Sequence, residues 1–238
     1  MAALMDWPTG DAIVCGVSAP AAGVAIALAG RAHRRVIVVD PLGPVPPDAV
    51  ATNLPRRLDV PLPASGVDVR TRVMPSASLP EIAREEHAAL IVIGAEARRH
   101  RGLLRTFPVR LALRTTAPVL VIREGKSIRR WLDREITLRV MVAIDRSAAA
   151  KTALEWASAF AGDLPNEVVA AGLDPPMKPR DWDAAGAVLE IATKWQADLL
   201  VVGSRSARPL KGWWHRSPAE RLIDEAPMNV AAVPCGSS

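Results

Sequence analysis

The same order of predicted elements occurs twice along the sequence, and this internal repeat restricts the fold more than any other feature. Each half begins with an apolar strand run, AIVCGVS at 12–18 and LRVMVAID at 138–145. Each run leads through a small-residue turn into an Ala-rich helical segment, at 21–32 and 148–162. Self-similarity on this scale indicates one structural unit built twice.

The later elements of the two halves match as well. Each half has a second strand that ends in Asp-Pro, a helix that runs into a buried strand ending in Gly, and a last short strand with a Pro. The pairs are 34–41 with 167–175, 79–94 with 184–203, and 117–124 with 226–234. Strands that alternate with helices predict a mostly parallel sheet, and uninterrupted apolar runs favour central strands.

The sequence therefore predicts an α/β protein of two tandem units, at residues 1–126 and 136–238. The first unit has an additional strand, VDVRTRVM at 67–74, which has no counterpart in the second unit. We expect the second unit to be shorter by about one strand. Residues 41–63 are Pro-rich and predict an irregular surface segment. Residues 125–137 predict a polar linker with one Trp anchor.

The uncharged stretch at 12–30 is long enough to span a bilayer. It is nonetheless rich in Ala and Gly, contains Pro20, and follows Asp6 and Asp11, where a signal peptide would carry positive charge. We interpret it as a strand, a turn and the start of a helix. This predicts a protein without membrane association. Cys15 and Cys235 show no metal spacing and no CxxC, which indicates buried thiols in a reducing compartment, and we expect a cytoplasmic protein.

The net charge of +5 is uneven along the chain. Residues 1–126 hold 16 Lys and Arg against 11 Asp and Glu, whereas residues 127–238 hold 14 of each kind. The dense basic cluster, Arg98, Arg99 and Arg101, could hold an anion or form a solvated helix face. It is short and lacks interleaved aromatic residues, which argues against nucleic-acid binding.

Parallel sheets bind ligands beyond the carboxyl ends of their strands. In the second unit, Asp145 follows the first strand, and Gly203 ends the strand that corresponds to the fourth strand of the first unit. The loop after Gly203 supplies Arg205 and Lys211, and Ser217 stands at a predicted helix start. A helix start with a free hydroxyl and backbone N–H groups favours an anion.

These residues resemble the universal stress proteins, and the resemblance covers nearly the whole chain as two tandem copies of a Rossmann-like (HUP-type) unit. Members of that family that bind ATP carry Gly-x2-Gly-x9-Gly-(Ser/Thr) after the fourth strand and an Asp after the first. In the second copy, Asp145, Gly203 and Ser217 match this pattern, whereas Ser206 and Arg216 replace the other two glycines.

The resemblance also places Ala143 and Ile144 beside the adenine and Pro218 next to the phosphates. It implies ATP, with Mg²⁺ when bound, as the ligand of the second copy.

The first copy departs further from the pattern. Ser18 occupies the Asp position, Gly94 remains, Ala97 replaces the next glycine, and the final Gly-Ser pair is Phe107-Pro108. Proline has no N–H to donate to a phosphate. We therefore expect no nucleotide site in the first copy.

The sequence predicts a binding protein rather than an enzyme, because it contains no Walker loop, HExxH or GxSxG, and it predicts no metal site. The resemblance implies a stress-response protein that signals to a protein partner as an intramolecular pseudo-dimer. We expect its two copies to pair through their last strands, at 118–123 and 229–233. A homodimer of two such chains is a further possibility. The alternatives are a slow nucleotide-hydrolysing enzyme and a protein-interaction module without a nucleotide.

Overall fold

The computed structural model describes most of the two repeated units. The described residues are 10–16, 18–40, 67–73, 78–95, 106–172, 183–204 and 217–235. The strands are β1 Ala12–Gly16, β2 Arg35–Asp40, β3 Val69–Val73, β4 Ala88–Gly94, β5 Val119–Ile122, β6 Leu138–Ile144, β7 Asn166–Gly172, β8 Leu199–Ser204 and β9 Asn229–Pro234. The helices are α1 Ala19–Ala32, α2 Leu79–Glu85, α3 Phe107–Ala112, α4 Lys126–Leu132, α5 Ala148–Ala161, α6 Ala184–Lys194 and α7 Pro218–Glu225.

All nine strands of the described residues form one sheet in the order β3-β2-β1-β4-β5-β9-β8-β6-β7. Every neighbouring pair is parallel except β5 and β9, which pair antiparallel. The predicted fold class is thus confirmed. The stretch that could have spanned a bilayer is divided between β1 and α1, and no helix in the described part of the chain has the length and apolarity to cross a membrane.

The two copies differ at the outer ends of this sheet. In the first copy, β2 pairs with β3, which is the additional strand that the sequence predicts. In the second copy the described sheet ends at β7, the counterpart of β2. The Pro-rich segment 41–63 lies outside the described residues, as does nearly all of the connection at 174–183.

Helices cover both faces of the sheet, and each face has one apolar core that runs through both copies. One core includes buried residues of α1, α4 and α5, and the other includes buried residues of α2, α3, α6 and α7. Odd and even positions of each strand supply opposite cores, as in β8, where Val201 faces α5 and Val202 faces the side of α7.

The predicted linker differs from a polar connection because it contains helix α4. Ile128, Trp131 and Leu132 are buried there, and Trp131 has no exposed surface. The indole of Trp131 stacks on Phe160 of α5 at 5.4 Å between ring centroids. Trp156 also stacks on Phe160, at 4.8 Å between ring centroids. The aromatic anchor therefore ties the connection between the copies to the core of the second one.

The pairing of β5 with β9 relates the copies by a pseudo-two-fold axis. Val119, Leu120 and Val121 pair with Ala232, Ala231 and Val230. The parallel registers with β4 and β8 make Leu120 and Ala231 equivalent positions of the two copies. The central pair of the junction is therefore a residue opposite its own counterpart, which is the geometry of an isologous contact.

One side of this axis carries a polar contact that the other side lacks. Asn229 is buried, and its Oδ1 accepts hydrogen bonds from the backbone N–H groups of Arg123 at 2.9 Å and Glu124 at 3.2 Å. Its Nδ2 donates to the carbonyl oxygen of Asp198 at 3.1 Å. The equivalents of Asn229 and Arg123 in the other copy are both prolines, which cannot reproduce the contact.

We expect Asn229→Ala to destabilise the protein by about 1–3 kcal/mol in total, because the variant loses a buried amide that bonds to partly buried backbone groups of both copies. The measurement is the free energy of unfolding from urea titration. Asn166→Ala is the matched control, because Asn166 is exposed and bonds only to nearby carbonyl groups, the nearer at 2.7 Å. Equal losses in the two variants would contradict a special role of Asn229 at the junction.

Candidate functional site

The strand order reverses direction between β6 and β8, which makes their carboxyl ends the natural ligand site of the second copy. From β6 the chain moves outward to β7, and from β8 it moves the other way to β9. Open α/β sheets bind ligands in the crevice at such a switch point. Ala143 and Ile144 end β6 at this edge, where Ala143 is buried opposite Val202 and Ile144 is half-buried.

The turn from β6 into α5 is held by its own side chains. Asp145 is exposed, and its Oδ1 accepts a hydrogen bond from the N–H of Ser147 at 2.9 Å. Ser147 is the N-cap of α5, and its hydroxyl accepts from the N–H of Ala150 at 3.3 Å. This leaves an open turn in which one carboxylate oxygen of Asp145 already supports the backbone.

Gly203 is the glycine of the motif that the second copy retains, and the packing of α5 requires it. A Cβ at this position would collide with the backbone carbonyl group of Ala149 and lie 2.9 Å from the Cβ of Ala149. The first turn of α5 thus rests directly on the end of β8. Gly203 would be needed here whether or not a ligand binds.

Gly203→Ala should destabilise the fold by about 1–3 kcal/mol, because the added methyl group forces α5 away from the sheet. Gly172→Ala is the control, since a Cβ at Gly172 would meet no atom of the described residues within 4 Å, and we expect a change within about 0.5 kcal/mol. Thermal and urea unfolding measure both. An unaffected Gly203→Ala protein would show that the contact with α5 is not tight in solution.

Helix α7 begins at this same edge and presents its N-terminus there. Ser217 is its N-cap, as the sequence predicts, and the Ser217 hydroxyl accepts from the N–H of Glu220 at 3.2 Å. Pro218 occupies the first helical position and has no N–H. Of the first three helical residues, Pro218 has no N–H, and the N–H of Glu220 is bonded to the cap. The N–H of Ala219 is the one that remains.

An exposed ion-pair cluster fixes α7 to α6. Arg221 lies 2.6 Å from Asp183 and 3.0 Å from Glu225. Asp183 is also the N-cap of α6, and its Oδ1 accepts from the N–H of Gly186 at 3.0 Å. The bond from Gly186 and then the guanidinium of Arg221 lower the pKa of the Asp183 carboxyl below its ordinary value of 3.8.

A lowered pKa in the folded state means that ionised Asp183 stabilises the fold above pH 3.8, and that this stabilisation is lost as the pH falls through the lower folded value. Asp183→Asn retains an oxygen for Gly186 but removes the charge. We expect its Tm to lie below that of the parent protein at pH 7, with the difference shrinking below pH 3.8. A difference independent of pH would contradict this origin.

The first copy lacks the open turn. The register of β1 on β4 and of β6 on β8 aligns Cys15 with Val142, so that Ser18 occupies the position of Asp145. Ser18 is also the N-cap of α1, a role that falls two residues later, on Ser147, in the second copy. The first turn is thus two residues shorter, and a Cβ at Gly94 would collide with the Ser18 side chain.

Several predicted site residues lie outside the described residues, so the structure brings together only part of the set. They are Ser206, Arg205, Lys211 and Arg216 of the loop before α7, and Arg98, Arg99 and Arg101 of the basic cluster. Asp145, Gly203, Ser217 and Pro218 share one edge of the sheet with Ala143 and Ile144.

The motif did not reveal the structural tasks of Asp145 and Gly203, and it did not point to Ser204. Ser204 follows Gly203 directly, is 2% exposed, and its Oγ has no hydrogen-bond partner in the described part of the chain. The Asp-x-Ser spacing of the β6–α5 turn is a signal for the cap that Asp145 supports. For Ser204, the signal was a hydroxyl placed at the carboxyl end of a buried strand.

Comparison with known proteins supports the family resemblance. Residues 169–234 match the Universal stress protein family. A functionally unknown protein of Pseudomonas aeruginosa PAO1 has a similar structure, with a TM-score of 0.69 and 13% identity over 98% of this chain and 95% of that one. A universal stress protein of Archaeoglobus fulgidus DSM 4304 gives 0.62 and 14% over 94% and 97%.

No curated protein matches the sequence significantly. The resemblance predicted from the sequence is confirmed by the family match over most of the second copy, and the fold is confirmed across both copies. The nucleotide-site residues stay predictions.

Proposed function

We propose that this chain, which matches the universal stress protein family over residues 169–234, is a stress-response protein that binds one adenine nucleotide, in its second copy. The observation that carries the proposal is the difference between the two switch points. In the second copy, the exposed Asp145 stands in an open turn beside Gly203, whereas in the first copy Ser18 closes the shorter turn onto Gly94.

The chemistry of the edge suits a nucleotide. The Asp145 carboxylate has one oxygen left to accept a hydrogen bond from a sugar or base, since Oδ1 is the atom bonded to Ser147. The N-terminus of α7 favours the negative charge of phosphates. In the ATP-binding proteins of the family that this chain resembles, the equivalent groups contact the adenosine and the phosphates, respectively.

We propose further that binding acts as a signal rather than as catalysis. Helix α7 has its N-terminus at the site and its C-terminus held by the first copy, because Nη2 of Arg123 donates to the carbonyl oxygens of Ile223 at 2.8 Å and Asp224 at 2.9 Å. A ligand that shifts α7 would thereby act on the junction of the copies. A protein partner would then respond to the paired unit.

Isothermal titration with ATP, ADP and cyclic AMP tests the nucleotide part. We expect about one site per chain, and at least tenfold weaker binding by Asp145→Ala, because a hydrogen bond to a charged group contributes about 1.5–3 kcal/mol. Asp163→Ala is the matched control, since Asp163 is an exposed aspartate that follows the opposite end of α5.

Absence of saturable binding by the parent protein would refute the proposal, as would two equal sites per chain or unchanged affinity of Asp145→Ala. Phosphate release, measured in the same samples with Mg²⁺, separates binding from the alternative of slow hydrolysis.

A further inference from the structure

Strand β7 of the second copy ends the described sheet, although its counterpart in the first copy, β2, is an inner strand. The registers of the two copies align the middle residues of these strands, Val36, Ile37 and Val38 with Val168, Val169 and Ala170. The three residues of β2 are buried, whereas Val168 and Val169 are half-buried and Ala170 is exposed. The described part of the second copy therefore ends in an apolar strand whose counterpart is covered.

The backbone of β7 directs alternate residues toward β6 and away from it. The carbonyl oxygen of Pro165 accepts from the N–H of Leu138 at 3.0 Å, and Leu138 pairs with Asn166. Because successive residues of a strand bond to opposite sides, the odd-numbered residues of β7 bond to β6. Val168 and Ala170 direct their N–H and C=O groups away from β6. An edge of this kind is a template for another strand.

The other end of the sheet carries charges that prevent such pairing. Arg70 and Arg72 of β3 are exposed. Two β3 strands that paired antiparallel about Thr71 would set Arg70 of one chain opposite Arg72 of the other. Like charges in directly opposite positions destabilise a pair of strands, so β3 is protected against pairing with itself.

Strand β7 has no such protection. Its sequence, NEVVAAG, has one charged residue and no proline, and its register with β6 runs without a bulge. Antiparallel pairing of two β7 strands about Val169 sets Glu167 opposite Ala171 and Val168 opposite Ala170. No like charges meet, and all seven residues of the strand take part.

The first copy also shows what β3 requires of its neighbour. Val36 pairs with Val69, which sets Asp68 opposite Arg35. The counterpart of Arg35 in β7 is Glu167. A β3 strand from another chain, bound to β7 in the same register, would thus place two carboxylates opposite each other. The charges favour a second β7 strand over β3 as the partner of this edge.

We propose that β7 is an interaction surface for a second copy of this chain, in which two β7 strands pair antiparallel about Val169 and join two sheets into one. Such a contact is isologous. Helices α5 and α6 contact β7 from opposite faces of the sheet. Each carries one large apolar side chain with high exposure, Leu154 at 40% and Ile191 at 48%, and these helices would extend the contact beyond the strands. The outer strands of the dimer would both be β3, whose arginines stop further growth.

Sedimentation equilibrium of the full chain tests the interaction. We expect the parent protein to form a dimer that dissociates on dilution. Ala170→Pro should be a monomer, because proline removes an outward N–H and leaves the bonds from β7 to β6 in place. Ala170→Val is the matched control, since it keeps the N–H at the same exposed position, and it should dimerise like the parent. Cooperative thermal unfolding of each variant checks that it is folded.

Cysteine crosslinking tests the register and does not depend on the proline variant. In a Cys235→Ser background, Val169→Cys should form a disulfide between chains on oxidation. Residue 169 would face itself across the axis with Cβ atoms about 4.5 Å apart, which a disulfide can span. Ala170→Cys is the control, because residue 170 would face Val168 of the second chain. The remaining native thiol, Cys15, is buried.

A parent protein that stays monomeric at every concentration overturns the inference, as does a dimer of unchanged strength in a folded Ala170→Pro variant. Equal crosslinking of Val169→Cys and Ala170→Cys overturns it as well. None of these outcomes touches the proposed nucleotide site, because the titrations count ligand per chain in either assembly. Conversely, a chain that binds no nucleotide can still form this dimer.

Discussion

The antiparallel pairing of β5 with β9 is the contact on which the whole architecture depends. It joins two parallel half-sheets into one, and both apolar cores pass across it from one copy to the other. Because β5 and β9 pair antiparallel and each is parallel to the neighbouring strand of its own copy, the strands of the two copies run in opposite directions. The switch point of the second copy therefore lies at the opposite edge of the sheet from that of the first. Residues at one switch point cannot line the ligand site at the other.

Much of this architecture follows from the sequence, because repetition and hydrophobic periodicity report burial directly. The strands that match between the halves, the additional β3 and the helix start at Ser217 occur where apolar runs and turn residues predict them. The region around α4 was harder to predict. The Trp anchor was predicted, but the helix was not, because its polar surface hides Ile128 and Leu132, whose burial depends on packing in the core shared with α1 and α5.

The candidate site was less predictable for a related reason. A motif residue can be retained for the fold, for a ligand or for both, and the sequence does not distinguish these. Asp145 supports a turn, Ser217 caps a helix and Gly203 admits α5, so each has a structural task. Ser204 occupies an unspecified position of the motif, and its Oγ has no hydrogen-bond partner in the described part of the chain.

The contact of Arg123 and Asn229 occurs once because prolines occupy both equivalent positions. In a dimer of identical chains every substitution is present twice, and any contact across a two-fold axis must satisfy both halves together. Here the halves share one covalent chain, so each position can change alone while its counterpart remains as it was. The tandem arrangement thus lets one half specialise in what it binds and leaves the other half to evolve as its support.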